Sequence, residues 1–119
     1  MKRLLIVDDE EKICAILARF FSLRGFITQT ALSGIQALDQ LKEEVPDYLL
    51  LDIRMPGLSG LDVLKEAKAR YPNLSVIMVT ALDDAETAHQ AIQCGATDFI
   101  TKPLSFNDQS WARAFFAAG

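Results

Sequence analysis

The sequence predicts an α/β domain, a five-stranded parallel sheet doubly wound with helices on both faces. Three observations predict it. Short apolar runs alternate with helically periodic stretches from end to end of the 119 residues. The runs are continuously apolar, as strands buried on both faces read. The connections are only a few residues long, and right-handed crossovers then leave few topologies. Five strands of this size suit the flavodoxin-like order 2-1-3-4-5.

The elements follow in order. Leu4-Leu5-Ile6-Val7 is the first strand. Ile13, Ile16, Leu17, Phe20 and Phe21 fall at i, i+3, i+4, i+7 and i+8, one face of a helix. Gly25 stands just past that helix, where a left-handed residue closes the last turn. Phe26 to Ala31, rich in Thr, Phe and Ile, is the second strand. Ser33 can cap a helix carrying Ile35, Leu38 and Leu41, and Pro46 ends that segment. Tyr48-Leu49-Leu50-Leu51 is the third strand, and Met55-Pro56-Gly57 is a turn. The third helix turns Leu61, Leu64 and Ala67 inward and closes before Pro72-Asn73. Val76 to Val79 is the fourth strand. Asp83 or Asp84 caps a fourth helix that runs to about Cys94, with a small-residue inner face of Ala85, Ala88, Ala91 and Ile92, and Gly95 stops it. Thr97 to Thr101 is the fifth strand. A last helix spans about 106–118. The whole chain, 1–119, is expected to be one domain, with no internal repeat beyond the βα unit and no linker.

Composition narrows the function. The chain is 50% hydrophobic and 24% charged, which excludes disordered and low-complexity classes. Its longest apolar run is about five residues, against roughly 18 for a membrane span. Only four apolar residues separate the basic start from Asp8, too few for a signal-peptide core, so a cytoplasmic location is expected. The net charge is -4 and no basic cluster stands out, so direct nucleic-acid binding by this domain is not expected. The two cysteines, Cys14 and Cys94, lack metal-site spacing and are expected as reduced packing residues on helices of opposite sheet faces. The single histidine, His89, is expected on the exposed side of the fourth helix.

Chemistry collects at one edge. Asp8 and Asp9 follow the first strand, Asp52 the third, Thr80 the fourth and Lys102 the fifth. Ligands of doubly wound sheets bind at the carboxyl ends of the strands, near the switch point. Neighbouring strands lie about 4.8 Å apart, so three carboxylates share one crevice. They cannot all stay ionised unaided: either a proton is trapped or a cation is bound. An oxygen-only set suits Mg²⁺, with Mn²⁺ as a substitute. Asp52, the central carboxylate, is the best nucleophile toward phosphorus. Lys102 supplies a fixed positive charge and Thr80 a hydroxyl donor. Taken singly, Asp8-Asp9-Glu10-Glu11 reads as an acidic helix start, Thr80 as structural and Lys102 as a solvated charge. Their joint placement carries the argument.

Four segments, Val7-Asp8-Asp9-Glu10, Leu51 to Gly60, Val79-Thr80-Ala81 and Gly95 to Pro103, together resemble the receiver domain of two-component response regulators, in order and with that family's spacing. The resemblance spans residues 2 to about 105 and implies a phosphoacceptor at Asp52. It implies direct Mg²⁺ ligands in Asp9, Asp52 and the backbone carbonyl of Arg54, with Asp8 acting mainly through water. It implies a switch hydroxyl at Thr80, a phosphate-binding Lys102, a switch aromatic at Phe99 and a cis peptide between Lys102 and Pro103. It also implies a sensor histidine kinase as phosphoryl donor, slow autodephosphorylation rather than classical enzyme turnover, and an output domain or downstream protein, with transcription regulation the expected output. The face of the fourth helix, fifth strand and last helix is the implied switch surface and a candidate homodimer interface. Phe99 lacks the hydroxyl of the family's more usual Tyr. Arg54 and Leu82 flank the phosphoryl site. The tail, with Trp111, Phe115 and Phe116, is an atypical last helix, either core or partner surface.

Three competing classes are weighed against that reading. An aspartate-nucleophile phosphatase wants a second acid two residues after the nucleophile, where Arg54 stands. A flavin or nucleotide carrier wants a Gly/Ser/Thr-rich loop after the first strand, where the acids stand. A receiver-like scaffold that never takes phosphate has no need of the intact acid trio and Lys102.

Overall fold

The computed structural model describes residues 1–81, 83–102, 111, 114 and 115. Among these, the chain runs β1 (Arg3–Val7), α1 (Glu11–Ser22), β2 (Ile27–Ala31), α2 (Gly34–Glu43), β3 (Tyr48–Asp52), α3 (Gly60–Arg70), β4 (Ser75–Thr80), α4 (Ala85–Gln93) and β5 (Asp98–Thr101). The sheet is parallel, in the order β2-β1-β3-β4-β5. That is the predicted order, with the reversal between β1 and β3.

The apolar runs divide their side chains between two faces, as the two-residue period of a strand requires. Leu5, Val7, Leu49, Leu51, Val76 and Met78 pack with α2, α3 and α4. Leu4, Ile6, Leu50, Ile77, Val79 and Ile100 pack with α1 and with Trp111 and Phe115. The second layer is aromatic at its centre. Phe21 is fully buried, and its ring lies 4.8 Å from that of Phe115 and 5.5 Å from that of Trp111. The two described tail aromatics are therefore core. The rest of the predicted last helix, about 106–118, lies outside the described residues.

The helix faces differ in detail from the periodicity. On α1 the buried residues are Cys14, Leu17 and Phe21, while Ile16 is 51% exposed. On α2 they are Gly34, Ala37 and Leu41, while Ile35 is 65% exposed. Val63 joins Leu64 and Ala67 inside α3, and Leu61 is only half-buried. On α4 only Ala88 and Ala91 are buried, and Ala85 and Ile92 face out. A helix laid on a sheet buries a narrow stripe. Small residues take the line of closest approach and displace larger ones to the flanks.

The helix ends follow local chemistry. The Ser33 hydroxyl accepts from the N–H of Gln36 at 3.1 Å, and the Ser59 hydroxyl accepts from that of Asp62 at 3.3 Å. Gly25 (φ 92°) and Gly95 (φ 106°) take the left-handed conformation that closes α1 and α4. Cys14 and Cys94 are free thiols packed on opposite faces of the sheet, as expected.

Candidate functional site

Strand register places the site. Val7 pairs with Leu51, so the next residues, Asp8 and Asp52, emerge side by side at the carboxyl edge. Asp52 pairs with Val79, and Thr80 pairs with Thr101, which puts Thr80 and Lys102 on the same edge. A carboxylate oxygen from each of Asp8, Asp9 and Asp52 lies within 4.8 Å of the others. Asp8 and Asp52 are buried and Asp9 is exposed. Lys102 Nζ reaches Asp52 Oδ2 at 3.4 Å, and the Lys102 backbone N–H donates to the Thr80 carbonyl at 2.7 Å. The ends of β1, β3 and β5 thus bring side chains to one carboxylate, with Thr80 on the same edge at the end of β4.

Burial makes this cluster electrostatically costly. It pushes the Asp8 carboxyl up to about 6, against an ordinary 3.8, and the charges of Asp52 and Asp9 push the same way. The Glu10 N–H, donating to Asp8 Oδ1 at 2.9 Å, and the Lys102 charge oppose that shift. Asp52 is also raised, again chiefly by burial. The Lys102 ammonium and the Arg54 backbone N–H draw it back, and Asp9 adds repulsion. Beneath the cluster the Cys14 thiol donates to the Asp8 carbonyl at 3.4 Å. Burial, then the neighbouring Asp8 charge, push that thiol up to about 11, so it stays protonated and inert.

The donor set fits a small hard dication. It is all oxygen, it brings three acids together, and two of those acids are buried where their charge is disfavoured. A resident Mg²⁺ would be held by Asp9 and Asp52, with Asp8 behind them.

Thr80 is buried, and its hydroxyl donates to the carbonyls of Ala81 at 3.3 Å and Asp84 at 3.4 Å. Phe99 is half-buried against the layer that contains α2, α3 and α4. The predicted cis peptide at Pro103 and the flanking Leu82 lie outside the described residues. His89 is exposed on α4, as expected.

Two features escaped the sequence reading. Arg54 turns its guanidinium to the head of α4, with Nε 3.1 Å from Asp84 Oδ2 and Nη2 3.8 Å from Asp83 Oδ1. The Thr87 hydroxyl, then Arg54, hold the Asp84 carboxyl below its usual range. Gly60, the first residue of α3, lies against the backbone of Asp52, and its N–H donates to the Ile53 carbonyl at 2.8 Å. The signal for Gly60 was in the sequence, as a glycine following a capping serine. The Arg54 pair joins residues 30 apart and leaves no periodic trace.

Comparison with known proteins agrees with this geometry. The family model described as "Response regulator receiver domain" matches residues 4–110. The regulatory protein AtoC of Escherichia coli (strain K12) is 40% identical over 108 residues, covering 91% of this chain and 23% of that protein. The DNA-binding transcriptional regulator NtrC of Klebsiella pneumoniae is 44% identical over 103 residues, covering 87% of this chain and 22% of that protein. The chain thus spans about a quarter of the length of these curated relatives. Among solved structures, a response regulator receiver domain protein from Clostridium thermocellum superposes with a TM-score of 0.87 at 32% identity, covering 94% of this chain and 90% of that one. The receiver domain of NtrX from Brucella abortus gives 0.85 at 37% identity, covering 97% and 93%.

Proposed function

This chain belongs to the response regulator receiver domain family, and on that footing we propose that Asp52 is its phosphoacceptor. The observation that carries the reading is the Asp8–Asp9–Asp52 cluster with Lys102 Nζ 3.4 Å from Asp52 Oδ2. The donor is a phosphohistidine of a sensor histidine kinase. An Asp52 carboxylate oxygen forms the new O–P bond as the donor's P–N bond breaks, and the imidazole leaves with the bonding electron pair. Asp9, Asp52 and the Arg54 carbonyl would hold Mg²⁺ directly, with Asp8 mainly through water, and the ion would supply neutralising charge for the transferring group. Lys102 binds a phosphoryl oxygen, and the Thr80 hydroxyl turns toward another.

The output follows from charge and packing. The phosphoryl group adds about -1.5 to -2 of charge and new acceptors beside Thr80. Thr80 moves, Phe99 repacks inward, and the surface formed by α4, β5 and the C-terminal segment changes. Phosphorylation biases a pre-existing equilibrium. The domain, 1–119, acts in the cytoplasm without binding nucleic acid or membrane itself, and signals to an output domain or downstream protein. Transcription regulation is the output that relatives named as transcriptional regulators support. That same surface is also where a homodimer would form.

Incubation with acetyl phosphate and Mg²⁺ should raise the intact mass by one phosphoryl group, and Asp52→Asn should abolish the gain. An unmodified mass with every phosphodonor would sink the reading in favour of a scaffold. Multiple-turnover release of phosphate from a general ester would favour a phosphatase.

A further inference from the structure

We infer that Arg54 and Asp84 form a latch that holds the head of α4 to the β3–α3 loop until Asp52 carries a phosphoryl group. The inference rests on the phosphoacceptor reading of Asp52 and adds a means by which modification is transmitted to α4.

Asp84 occupies the N-cap of α4, yet its side chain makes no capping hydrogen bond to the helix backbone. The carboxylate instead accepts from the Thr87 hydroxyl within its own helix and, from outside it, from Arg54 Nε at 3.1 Å, and only 15% of that side chain is exposed. Asp83, more exposed and 3.8 Å from Arg54 Nη2, is a weaker second anchor. The backbone of Asp84 is tied as well, its carbonyl accepting from the Thr80 hydroxyl at 3.4 Å. One residue at the start of α4 is therefore gripped by a donor from the β3–α3 loop and a donor from the end of β4.

Among the described residues, the ion pairs that reach the head of α4 are those of Arg54. Between the loop and α4 lies an open cleft of about 620 Å³, lined by Met55, Pro56, Leu61, Thr87 and Gln90, with Arg54 and Asp84 also on its wall. The ion pair bridges this cleft at its wall. The inner face of α4 is only Ala88 and Ala91, which bury little apolar area.

The two grips share their donors with the phosphoryl group. Arg54 stands two residues after Asp52, and Thr80 ends the adjacent strand. A dianion on Asp52 draws both the hydroxyl and the guanidinium, and Asp84 then keeps only its partners within α4, the Thr87 hydroxyl on its carboxylate and the Ala88 N–H on its carbonyl. The head of α4 is then free to move over the cleft. Modification can favour the released state only through such a difference in contacts between the two states.

The test uses ¹⁵N–¹H correlation spectra of the protein with and without beryllofluoride and Mg²⁺. The two wild-type spectra fix the end states for the amides of Asp83 to Gln93. Without beryllofluoride, Asp84→Ala should move those amides along the line joining the end states, by an about threefold rise in the ratio of released to latched forms. Asp84→Asn, which keeps a residue favoured at the N-cap, should move them in the same direction and guards against a trivial loss of helix. Arg54→Ala should move the same amides in the same direction, and the double variant should move them by less than the sum of the two single variants. Distinct wild-type end states with both Asp84 variants on the latched position would overturn the latch and leave the phosphoacceptor reading intact. Coincident wild-type spectra, with no beryllofluoride taken up, would overturn the phosphoacceptor reading and the latch with it.

Discussion

Gly60→Ala should damage both the fold and the site, because the missing Cβ is what lets α3 begin on top of Asp52. A Cβ built at Gly60 would lie 2.1 Å from the Asp52 carbonyl oxygen, 2.7 Å from Ile53 Cα and 2.8 Å from the Asp52 carbonyl carbon. All three are backbone atoms, so no side chain can rotate away. Relief to an ordinary contact of 3.4 Å requires the helix and the strand end to part by more than an ångström. That movement stretches the 2.8 Å Gly60–Ile53 hydrogen bond, worth about 1 kcal/mol. Overpacking adds about 1–3 kcal/mol. Against these, alanine is favoured over glycine in a helix by at most about 1 kcal/mol. The net expectation is a loss of about 1–3 kcal/mol in urea unfolding, together with slower phosphoryl gain from acetyl phosphate, since the atoms displaced belong to the proposed phosphoacceptor. Gly25→Ala is the control. It also loses stability, by about 1–2 kcal/mol, because φ is 92° there. Nothing lies within 4 Å of its Cβ, so phosphorylation should be unaffected. Equal or greater stability of Gly60→Ala would refute the close-approach argument. Normal phosphorylation of a destabilised Gly60→Ala would refute its link to the site.

Three further outcomes are expected. Asp8 has a folded pKa of about 6 against an ordinary 3.8, so between those values the native state holds more protons than the unfolded chain. Its contribution to the stability of the metal-free protein is therefore full below that window and lost as pH rises through about 6. Mg²⁺ should accordingly raise the melting temperature more at about pH 7.5 than at about pH 5; equal shifts would count against a carboxylate site. Lys102→Met removes the cation 3.4 Å from Asp52. It should tighten Mg²⁺ binding by calorimetry while slowing phosphoryl transfer by about a hundredfold to a thousandfold, on the order seen for a lost charge-stabilising donor, and unchanged Mg²⁺ affinity would show that the pair does not couple. Phe21→Ala, at the centre of the aromatic layer, should cost about 3–5 kcal/mol in chemical unfolding, whereas a loss under 1 kcal/mol would mean that the layer collapses to refill the gap.

Sheet order and site were legible because both follow from short-range rules. Continuous apolar runs mark strands buried on both faces, and the carboxyl ends of such strands face one edge. Strand order alone gathers Asp8, Asp9, Asp52, Thr80 and Lys102 there. The helix faces were less legible. Periodicity assigned Ile16 and Ile35 inward because they are large and apolar, yet the structure gives the inward line to Cys14 and to Gly34 with Ala37. The spacing between sheet and helix decides this, and sequence period does not encode it. Gly34 shows why: a Cβ there would meet Val63 at 2.7 Å and the Leu58 carbonyl at 2.9 Å, so α2 and α3 touch where no side chain fits. The Arg54–Asp84 pair was hidden for a different reason. Asp84 read as a helix cap and Arg54 as a flank of the site, and only the fold brings a loop residue to a helix start.

The two sides of the sheet are unequal, and the inequality suits a switch. On the side of α1, rings from Phe20, Phe21, Phe26, Tyr48, Trp111 and Phe115 interlock in tilted and edge-on contacts. Burial of aromatic surface of that extent, with ring-pair geometry added, makes a layer that resists displacement. On the other side α2 and α3 bury leucine and valine, but α4 contributes two alanines and leans on polar contacts at its head. Apolar burial changes little when an anion appears nearby, whereas a hydroxyl and a guanidinium answer to it directly. If Asp52 is the phosphoacceptor as proposed, the charge arriving there meets α4, anchored at its head by polar contacts, and α1, α2 and α3, anchored by apolar burial. On the proposed function, the response therefore starts at α4 and reaches β5 and the C-terminal segment from there, with no need for a special path through the core.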